Sequence, residues 1–261
     1  MFIDFHTHGK LAKKLPFSRE YTDWVLKEAK KAGLDAICLT EHFNTLQFDE
    51  MYEYLLDRCD RDGDSLITEQ GLRIFMGMET DISETGHILS VGVPEEILEL
   101  NKRLEPYKEK KTFLSFEKLI ESLKEYHVSV GAAHPFRAPG NIPSLPKEQL
   151  KRLDFVDLNG KDIAADRAGT EEKTYAFAKE LHLPVVSGSD THQSVQYGCI
   201  RTKFYQEVNT VAALYEEMLQ GNYEIEISDN CALKVETAGL LKKALKEIHA
   251  LGGDYASIYK I

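Results

Sequence analysis

The chain has 261 residues, of which 43% are hydrophobic and 29% charged, and its net charge is −11. This length and composition suit one globular domain with a sizeable core and exclude a disordered or fibrous protein. The negative charge argues against a nucleic-acid partner, because phosphate backbones attract clustered lysine and arginine.

The four cysteines form no CxxC pair, so neither a thiolate zinc site nor a disulfide scaffold is indicated. The amino-terminal residues do not read as a signal peptide, and no apolar run has the length of a membrane span. We therefore expect a cytoplasmic protein with no membrane partner.

Segments of strand and helix character alternate along the chain. The predicted strands are Phe2–Phe5, Asp35–Thr40, Leu72–Thr80, Val128–Ala133, Phe155–Leu158, Pro184–Ser187 and Tyr223–Ile227, with His87–Val93 as a paired extension of the third. The predicted helices are Ser18–Ala32, Phe48–Cys59, Phe116–Tyr126, Thr170–Leu181, Val208–Leu219 and Leu240–Leu251. This alternation predicts a parallel sheet with helical crossovers, either a closed barrel or an open doubly wound sheet. No linker or internal repeat divides the chain, which favours a single domain.

Histidines and carboxylates are concentrated where the predicted strands end. His6 and His8 follow the first strand, and a period of two places both imidazoles on one face. The candidate ligands after the later strands are Glu41, His42, Glu79, His87, His134, Asp190 and His192. The carboxyl ends of parallel strands meet at one face, where such sheets hold their active sites. Imidazole and carboxylate together suit Zn²⁺, Mn²⁺ or Fe²⁺.

A single histidine after a strand is more often a hydrogen-bonded or surface residue than a ligand. Here, however, six of the nine histidines occupy strand ends. The other three, His127, His182 and His249, lie near the ends of predicted helices, where the helix dipole explains them. This sorting favours a metal site.

At these positions the sequence resembles the PHP (polymerase and histidinol phosphatase) family of metal-dependent phosphoesterases. The matching segments, in family order, are Asp4-Phe5-His6-Thr7-His8, Thr40-Glu41-His42, Gly77-Met78-Glu79, Gly86-His87-Ile88-Leu89, Ala133-His134-Pro135 and Gly188-Ser189-Asp190-Thr191-His192. The resemblance implies a distorted (β/α)7 TIM-like barrel in a single α/β domain. We expect residues 1–228 to form the barrel and residues 229–261 to form a helical extension packed on it.

The resemblance also implies two or three divalent transition-metal ions. The first would bind His6, His8, Glu79 and Asp190; the second would bind Glu79, His87 and His134, with Glu79 as the bridge; the third would bind His42 and His192. Lys13 and Lys14 stand where family members often supply a further ligand, and Glu41 stands where aspartate is usual. The third site is therefore expected to be weakened, completed by water or a distant residue, or absent.

The expected activity is hydrolysis of phosphate esters on a small soluble substrate. Two ions bridged by a carboxylate lower the pKa of a shared water and make a hydroxide nucleophile available. The expected catalytic residues are Glu79, Asp190 and Arg137, and the candidate substrate-binding residues are Arg137, Asn159, Lys161, Arg167 and Arg201. Arg137 is the foremost of these because it follows His134 by only three positions.

Three other functions stay open at this point. Histidinol-phosphate phosphatase activity occurs in the family, although these loops carry no specific signature for histidinol. Hydrolysis of an amide or lactone by an amidohydrolase-like barrel is disfavoured, because the lysine that bridges metals in many amidohydrolases has no evident counterpart. A non-catalytic metal-binding regulatory domain would fit an incomplete third site.

Overall fold

The computed structural model describes residues 1–259. Its strands are β1 (Phe2–Thr7), β2 (Ala36–Leu39), β3 (Asp60–Asp62), β4 (Ser65–Ile67), β5 (Arg73–Asp81), β6 (His87–Gly92), β7 (Val128–Ala133), β8 (Phe155–Asn159), β9 (Val185–Gly188), β10 (Ile200–Phe204) and β11 (Tyr223–Ile227). Its α-helices are α1 (Arg19–Lys31), α2 (Phe48–Arg58), α3 (Pro94–Arg103), α4 (Phe116–Leu123), α5 (Lys147–Leu150), α6 (Gly160–Ala165), α7 (Arg167–Leu181), α8 (Val211–Gln220) and α9 (Cys231–Ala250). Residues 260 and 261, at the end of the predicted extension, lie outside the described residues.

Seven strands, β1, β2, β5, β6, β7, β8 and β9, form a nearly closed barrel. Neighbouring strands are parallel except for β6, which is antiparallel to both β5 and β7. The segment after β9 closes the ring against β1. There the Asp190 amide donates to the His6 carbonyl at 2.7 Å, and the His8 amide donates to the Thr191 carbonyl at 3.0 Å. The predicted α/β single domain with a distorted (β/α)7 barrel is confirmed.

The antiparallel strand β6 explains why the barrel is distorted. A parallel pair needs a crossover of a dozen or more residues, whereas an antiparallel pair needs only a short turn. Only residues 82–86 separate β5 from β6, and the turn ends at Gly86 with a φ of 147°. The predicted extension of the third strand is therefore a full barrel strand, and its amino end lies beside the carboxyl ends of the others.

Six of these strands and helices were not predicted from the sequence, namely β3, β4, β10, α3, α5 and α6. The polar turn around Gly63 connects two short strands, β3 and β4, which pair with each other and with β5. Helix α3 begins with Pro94 in its first turn, a position that proline favours. Strand β10 pairs with the amino end of β1, and β11 extends it. These elements lie around the barrel and supply none of the candidate ligands.

A β-bulge in β1 sets the direction of its histidines. Asp4 pairs with Ile37 and Thr7 with Leu39, so one extra residue of β1 lies opposite β2. Without it, the alternation of a strand would send residues 5 and 6 to opposite faces. With it, Phe5 belongs to the interior cluster of the barrel while His6, the next residue, also points inward.

Large apolar side chains fill the amino-terminal half of the barrel. Phe5 lies between Phe155 and Phe204, with ring centroids 6.0 Å apart in both pairs. Helix α8 packs against this cluster through Val211, Leu214 and Met218 and covers that end. Only the opposite end, at the carboxyl ends of the parallel strands, has room for polar chemistry.

Helix α9 packs against α6 and against the turn Ser194–Gln196. Its buried residues are Cys231, Ala238 and Leu245. Because α6 begins directly after β8, this contact brings α9 to the carboxyl end of the barrel. Within residues 1–259, no helix is both long and apolar enough to cross a bilayer.

Candidate metal centre and its relatives

Glu79 lies at the centre of a group of imidazoles at the carboxyl end of the barrel. The side chain is almost fully buried. Its Oε1 contacts His87 Nδ1 at 2.7 Å and His134 Nε2 at 3.1 Å, and its Oε2 contacts His42 Nδ1 at 2.7 Å, His6 Nε2 at 3.5 Å and His8 Nε2 at 3.6 Å. Burial alone would raise the pKa of Glu79, but the imidazoles of His42, His87 and His6 outweigh it and hold that pKa well below its ordinary value. Glu79 is thus a carboxylate with histidines on both oxygens.

Four overlapping groups have ligand atoms close enough to share an ion. They are His6, His8 and Glu79; Glu79, His87 and His134; His6, His134 and Asp190; and His8, His42 and His192. All eight sequence-predicted ligands belong to at least one group. The group that contains His42 and His192 also contains His8. The sequence did not predict that His8 belongs to this group.

Several of these ligand atoms are buried without a partner in hydrogen-bond geometry, even where, as with His42 Nδ1 and Glu79 Oε2, two of them lie close together. Among the described residues, they are His6 Nε2, His8 Nδ1 and Nε2, His42 Nδ1, His192 Nδ1 and Glu79 Oε2. Buried polar atoms are nearly always satisfied, and leaving one unsatisfied costs about 1–3 kcal/mol. A divalent cation satisfies imidazole nitrogens and carboxylate oxygens together, so the residues present fit the metal that the motifs imply.

Carboxylates contact the second ring nitrogen of three histidines. Asp157 Oδ2 lies 3.1 Å from His6 Nδ1, Glu41 Oε1 lies 3.5 Å from His8 Nδ1, and Asp81 Oδ1 lies 3.0 Å from His87 Nε2. Such partners fix the tautomer and orientation of a metal-ligating histidine and raise its basicity. Each of these imidazoles therefore presents its other nitrogen to Glu79.

Asp157 and Asp81 are absent from the sequence-based candidates. A period-two signal was available for both: Asp157 lies two residues before Asn159 on β8, and Asp81 lies two residues after Glu79 on β5. Alternation along a strand places such pairs on one face. Their partners, however, lie on other strands, and the sequence alone does not reveal the pairing.

Lys13 lies close to the histidines and forms an ion pair of 3.0 Å with Asp81. Burial and the charges of His8 and Lys13 lower the pKa of His42 to about 4, against the opposing effect of nearby Glu79. The lysine that replaces an expected ligand thus neutralises a carboxylate beside the site.

Asp190 is the carboxylate that binds the cationic side chains next to the histidines. Its Oδ2 accepts from Arg137 at 2.6 Å, and its Oδ1 lies 2.8 Å from Lys161 Nζ and 3.3 Å from His8 Nε2. Arg137 also donates to Asp162 at 2.7 Å and to the side-chain amide oxygen of Asn159. Asn159 in turn donates to Asp157 at 2.9 Å, so both ends of its buried amide contact protein groups.

Helix α9 contributes a further cation that the sequence did not predict. Burial and the neighbouring charge of Lys161 lower the pKa of Lys242 to about 8. The charge of Lys242 contributes to lowering the pKa of His192, after the larger effects of burial and of His8. The carboxylate of Asp190 partly offsets the decrease in the pKa of Lys242. The carboxyl-terminal helix therefore places a lysine near enough for its charge to be felt by Lys161 and His192.

Two predicted substrate-binding residues lie outside this cluster. The Arg201 guanidinium packs over the Phe2 ring, 3.7 Å from its centroid, and binds Glu226 at 2.8 Å. Phe2 begins β1, so Arg201 lies at the amino end of the barrel, opposite the histidines, and its prediction is wrong. Arg167 is exposed in the first turn of α7 and pairs with Glu171 at 3.4 Å. Neither residue contacts a candidate ligand.

Two ligand residues adopt an uncommon backbone conformation. His134 and Asp190 have φ angles of 30° and 54°. Non-glycine residues at positive φ are infrequent, and such strain concentrates at functional sites. His134 directly follows β7 and Asp190 comes two residues after β9, and their side chains contact Glu79 and His8 at the centre.

The PHP domain family model matches residues 4–230. The chain belongs to the PHP family. As a PHP protein with buried histidine and carboxylate clusters, it is a metal-dependent hydrolase. No curated protein matches the chain.

Solved structures share the PHP fold at low sequence identity. PsfC from Pseudomonas syringae PB-5123 is 22% identical with a TM-score of 0.77, over 94% of this chain and 98% of that chain. The lesion-specific endonuclease PfuEndoQ from Pyrococcus furiosus is 19% identical with a TM-score of 0.62, over 86% of this chain and 57% of that chain. Endonuclease Q in complex with a 27-mer duplex containing an abasic lesion is 17% identical with a TM-score of 0.61, over 87% and 58%.

The endonuclease structures correct one prediction. The expectation that the chain has no nucleic-acid partner is wrong as an exclusion, because this fold also occurs in enzymes that act on DNA. The net charge of −11 describes the whole molecule, whereas a substrate meets only the mouth of the site. There Arg137 and Lys161 place cationic groups beside Asp190.

Proposed function

We propose that the chain hydrolyses phosphate esters with divalent transition-metal ions bound around Glu79. The observation that carries this proposal is the buried Glu79 carboxylate with imidazoles on both oxygens. Two ions sharing one carboxylate form the arrangement that phosphoester hydrolases use to hold both sides of an in-line displacement.

We assign the first ion to His6, His8, Glu79 and Asp190 and the second to Glu79, His87 and His134. The group of His8, His42 and His192 is a candidate for a third. His8 belongs to the first and third groups, so the pair on Glu79 is the core of the assignment. Bound cations would lower the pKa of a water molecule and draw negative charge from the phosphoryl oxygens.

The surrounding side chains have separate tasks in this proposal. Asp157, Glu41 and Asp81 hold three imidazoles in their metal-facing orientation. Arg137 and Lys161 both contact Asp190 beside the histidines and would offer donors to phosphoryl oxygens. A guanidinium binds two such oxygens at once, which orients the ester as well as attracting it.

The test uses protein stripped with a chelator and reloaded with Zn²⁺, Mn²⁺ or Fe²⁺. The panel contains aryl and sugar phosphates, histidinol phosphate, nucleotides, cyclic phosphodiesters and a DNA duplex with an abasic site. Hydrolysis of at least one ester, dependent on added metal and lost in Glu79→Gln, is expected. The duplex belongs in the panel because the fold occurs in an endonuclease that acts on such lesions.

The same assay includes an amide and a lactone. Turnover of either one without turnover of any phosphate ester would assign the metal centre to amidohydrolase-type chemistry. Absence of turnover with full metal content would support a binding or regulatory domain. Either result overturns the phosphoesterase proposal.

A further inference from the structure

A cavity of about 350 Å³ opens directly beside the metal centre. His87, His134 and Arg137 belong both to its lining and to the site described above. Its other walls come from the turn between β5 and β6, the loop after β7 and residues 110–113 before α4. A group attached to a phosphoryl group at the metals would enter this space.

The far walls of this cavity are mainly apolar. They include Ile82, Phe113, Pro135, Pro139 and Ile142. The two hydroxyl groups in the lining are already hydrogen-bonded: Ser83 donates to Glu84 at 3.1 Å, and Thr85 donates to the carbonyl groups of Glu84 and Pro139. A leaving group rich in hydroxyls would replace few of its hydrogen bonds to water against these apolar walls, whereas an apolar one would gain from burial.

Lys110 is the cation in this lining that has no counterion. Arg137, the other cation, is bound to Asp190 and Asp162. Within residues 1–259, no carboxylate lies within ion-pair distance of the Lys110 ammonium, whereas the adjacent Lys111 pairs with Glu109 at 3.4 Å. An unpaired ammonium beside an apolar wall favours a ligand with an apolar body and a negative group.

We propose that this cavity binds the leaving group, and that the preferred ester carries a compact, largely apolar leaving group with an anionic substituent that Lys110 binds. This inference rests on the proposed phosphoesterase function. In the reaction, the bond between phosphorus and the leaving-group oxygen breaks, and water supplies the new oxygen on phosphorus. A proton from that water ends on the released alcohol, and no redox partner is needed.

The probes are para-carboxyphenyl phosphate, phenyl phosphate and glycerol phosphate, each assayed with the metal-loaded protein. The kcat/KM is expected to decrease in that order. Lys110→Ala should lower the ratio of kcat/KM for the carboxylated over the plain phenyl ester by about fivefold, the size expected of a partly exposed ion pair. Lys111→Ala is the matched control and should leave the ratio unchanged. Differences in intrinsic reactivity cancel, because both variants act on the same esters.

Phe113→Ala tests the apolar wall. Phenyl phosphate should lose more kcat/KM than glycerol phosphate, whose leaving group is small and polar, and retained glycerol phosphate turnover shows that the variant is folded. If all three esters are hydrolysed but the Lys110→Ala ratio equals that of the unmodified protein, the leaving-group assignment is wrong while the phosphoesterase function stands. If no phosphate ester is hydrolysed, both proposals fall together.

Discussion

Arg137 and Asp190 are 53 residues apart in the chain and meet in an ion pair of 2.6 Å beside the histidine cluster. Arg137 is also held by Asp162, so its guanidinium has a defined position before any substrate arrives. A group positioned in advance has less freedom to lose on binding.

Arg137→Ala is expected to raise KM and to lower kcat/KM about 10- to 100-fold for the best phosphate ester of the panel. Hydrogen bonds to charged groups contribute roughly 1.5–3 kcal/mol, which corresponds to that range. The kcat/KM of Arg137→Lys should fall between those of Arg137→Ala and the unmodified protein, because lysine keeps the positive charge but lacks the planar guanidinium. Arg103→Ala is the control, since Arg103 is exposed and pairs with Glu125 far from the ligands. If both constants stay unchanged in Arg137→Ala, the phosphate is held elsewhere, and Lys161 and Lys242 become the next candidates.

Glu79→Gln should empty or weaken both assigned metal sites together, because the same carboxylate contacts ligands of each. Elemental analysis of purified, dialysed protein measures the loss. Glu96→Gln is the matched control, because Glu96 binds His127 on the surface and no candidate ligand. His42→Ala should lose at most one ion. Full metal content in Glu79→Gln would remove the bridging assignment, and loss of all metal in His42→Ala would mean that the ligands are grouped wrongly.

Asp157→Asn should weaken metal binding about 10- to 100-fold, the usual cost of losing a carboxylate partner of a ligating histidine. Competition with a fluorescent chelator measures the affinity. Asp154→Asn is the control: Asp154 lies just before the same strand and accepts from the Val130 amide, but it contacts no candidate ligand. Equal affinities for the two variants would show that Asp157 does not support His6.

The metal-free protein should lose stability as the pH rises from about 6.5 to about 8. Burial lowers the pKa of His6 and His87, but Glu79 and further carboxylates outweigh it and raise both pKa values to about 10. A raised folded-state pKa gives stability that is complete below the unfolded value, near 6.5, and is lost as the pH approaches 10. Above pH 8, the lowered pKa values of Lys10 and Lys242 make stability increase with pH. The effect of the histidines is therefore measured below pH 8.

Urea unfolding at several pH values in the presence of a chelator measures this effect. The metal-loaded protein should show a much shallower decline, because ligating histidines have already released their protons. A flat profile for the metal-free protein across this window would contradict the assignment of protonated His6 and His87.

The sequence by itself determined the α/β class and the candidate ligands, whereas the barrel was implied by the resemblance of its motifs to the PHP family. The class and the ligands depend on local properties: strand and helix periods follow from residue spacing, and ligands placed after strands converge once the sheet is parallel. This is why His6, His8, Glu79, His134 and Asp190 could be named before any coordinates.

Only the tertiary structure decided how those residues are paired and which cations reach them. The carboxylate partners Asp157 and Asp81 act on histidines of other strands, and the charge of Lys242 on the last long helix acts on Lys161. Arg201 was also a substrate-binding candidate in sequence, yet its strand runs antiparallel to β1 and places it at the other end of the barrel. Spacing along the chain predicts the face of an element, but strand direction and packing decide which faces meet.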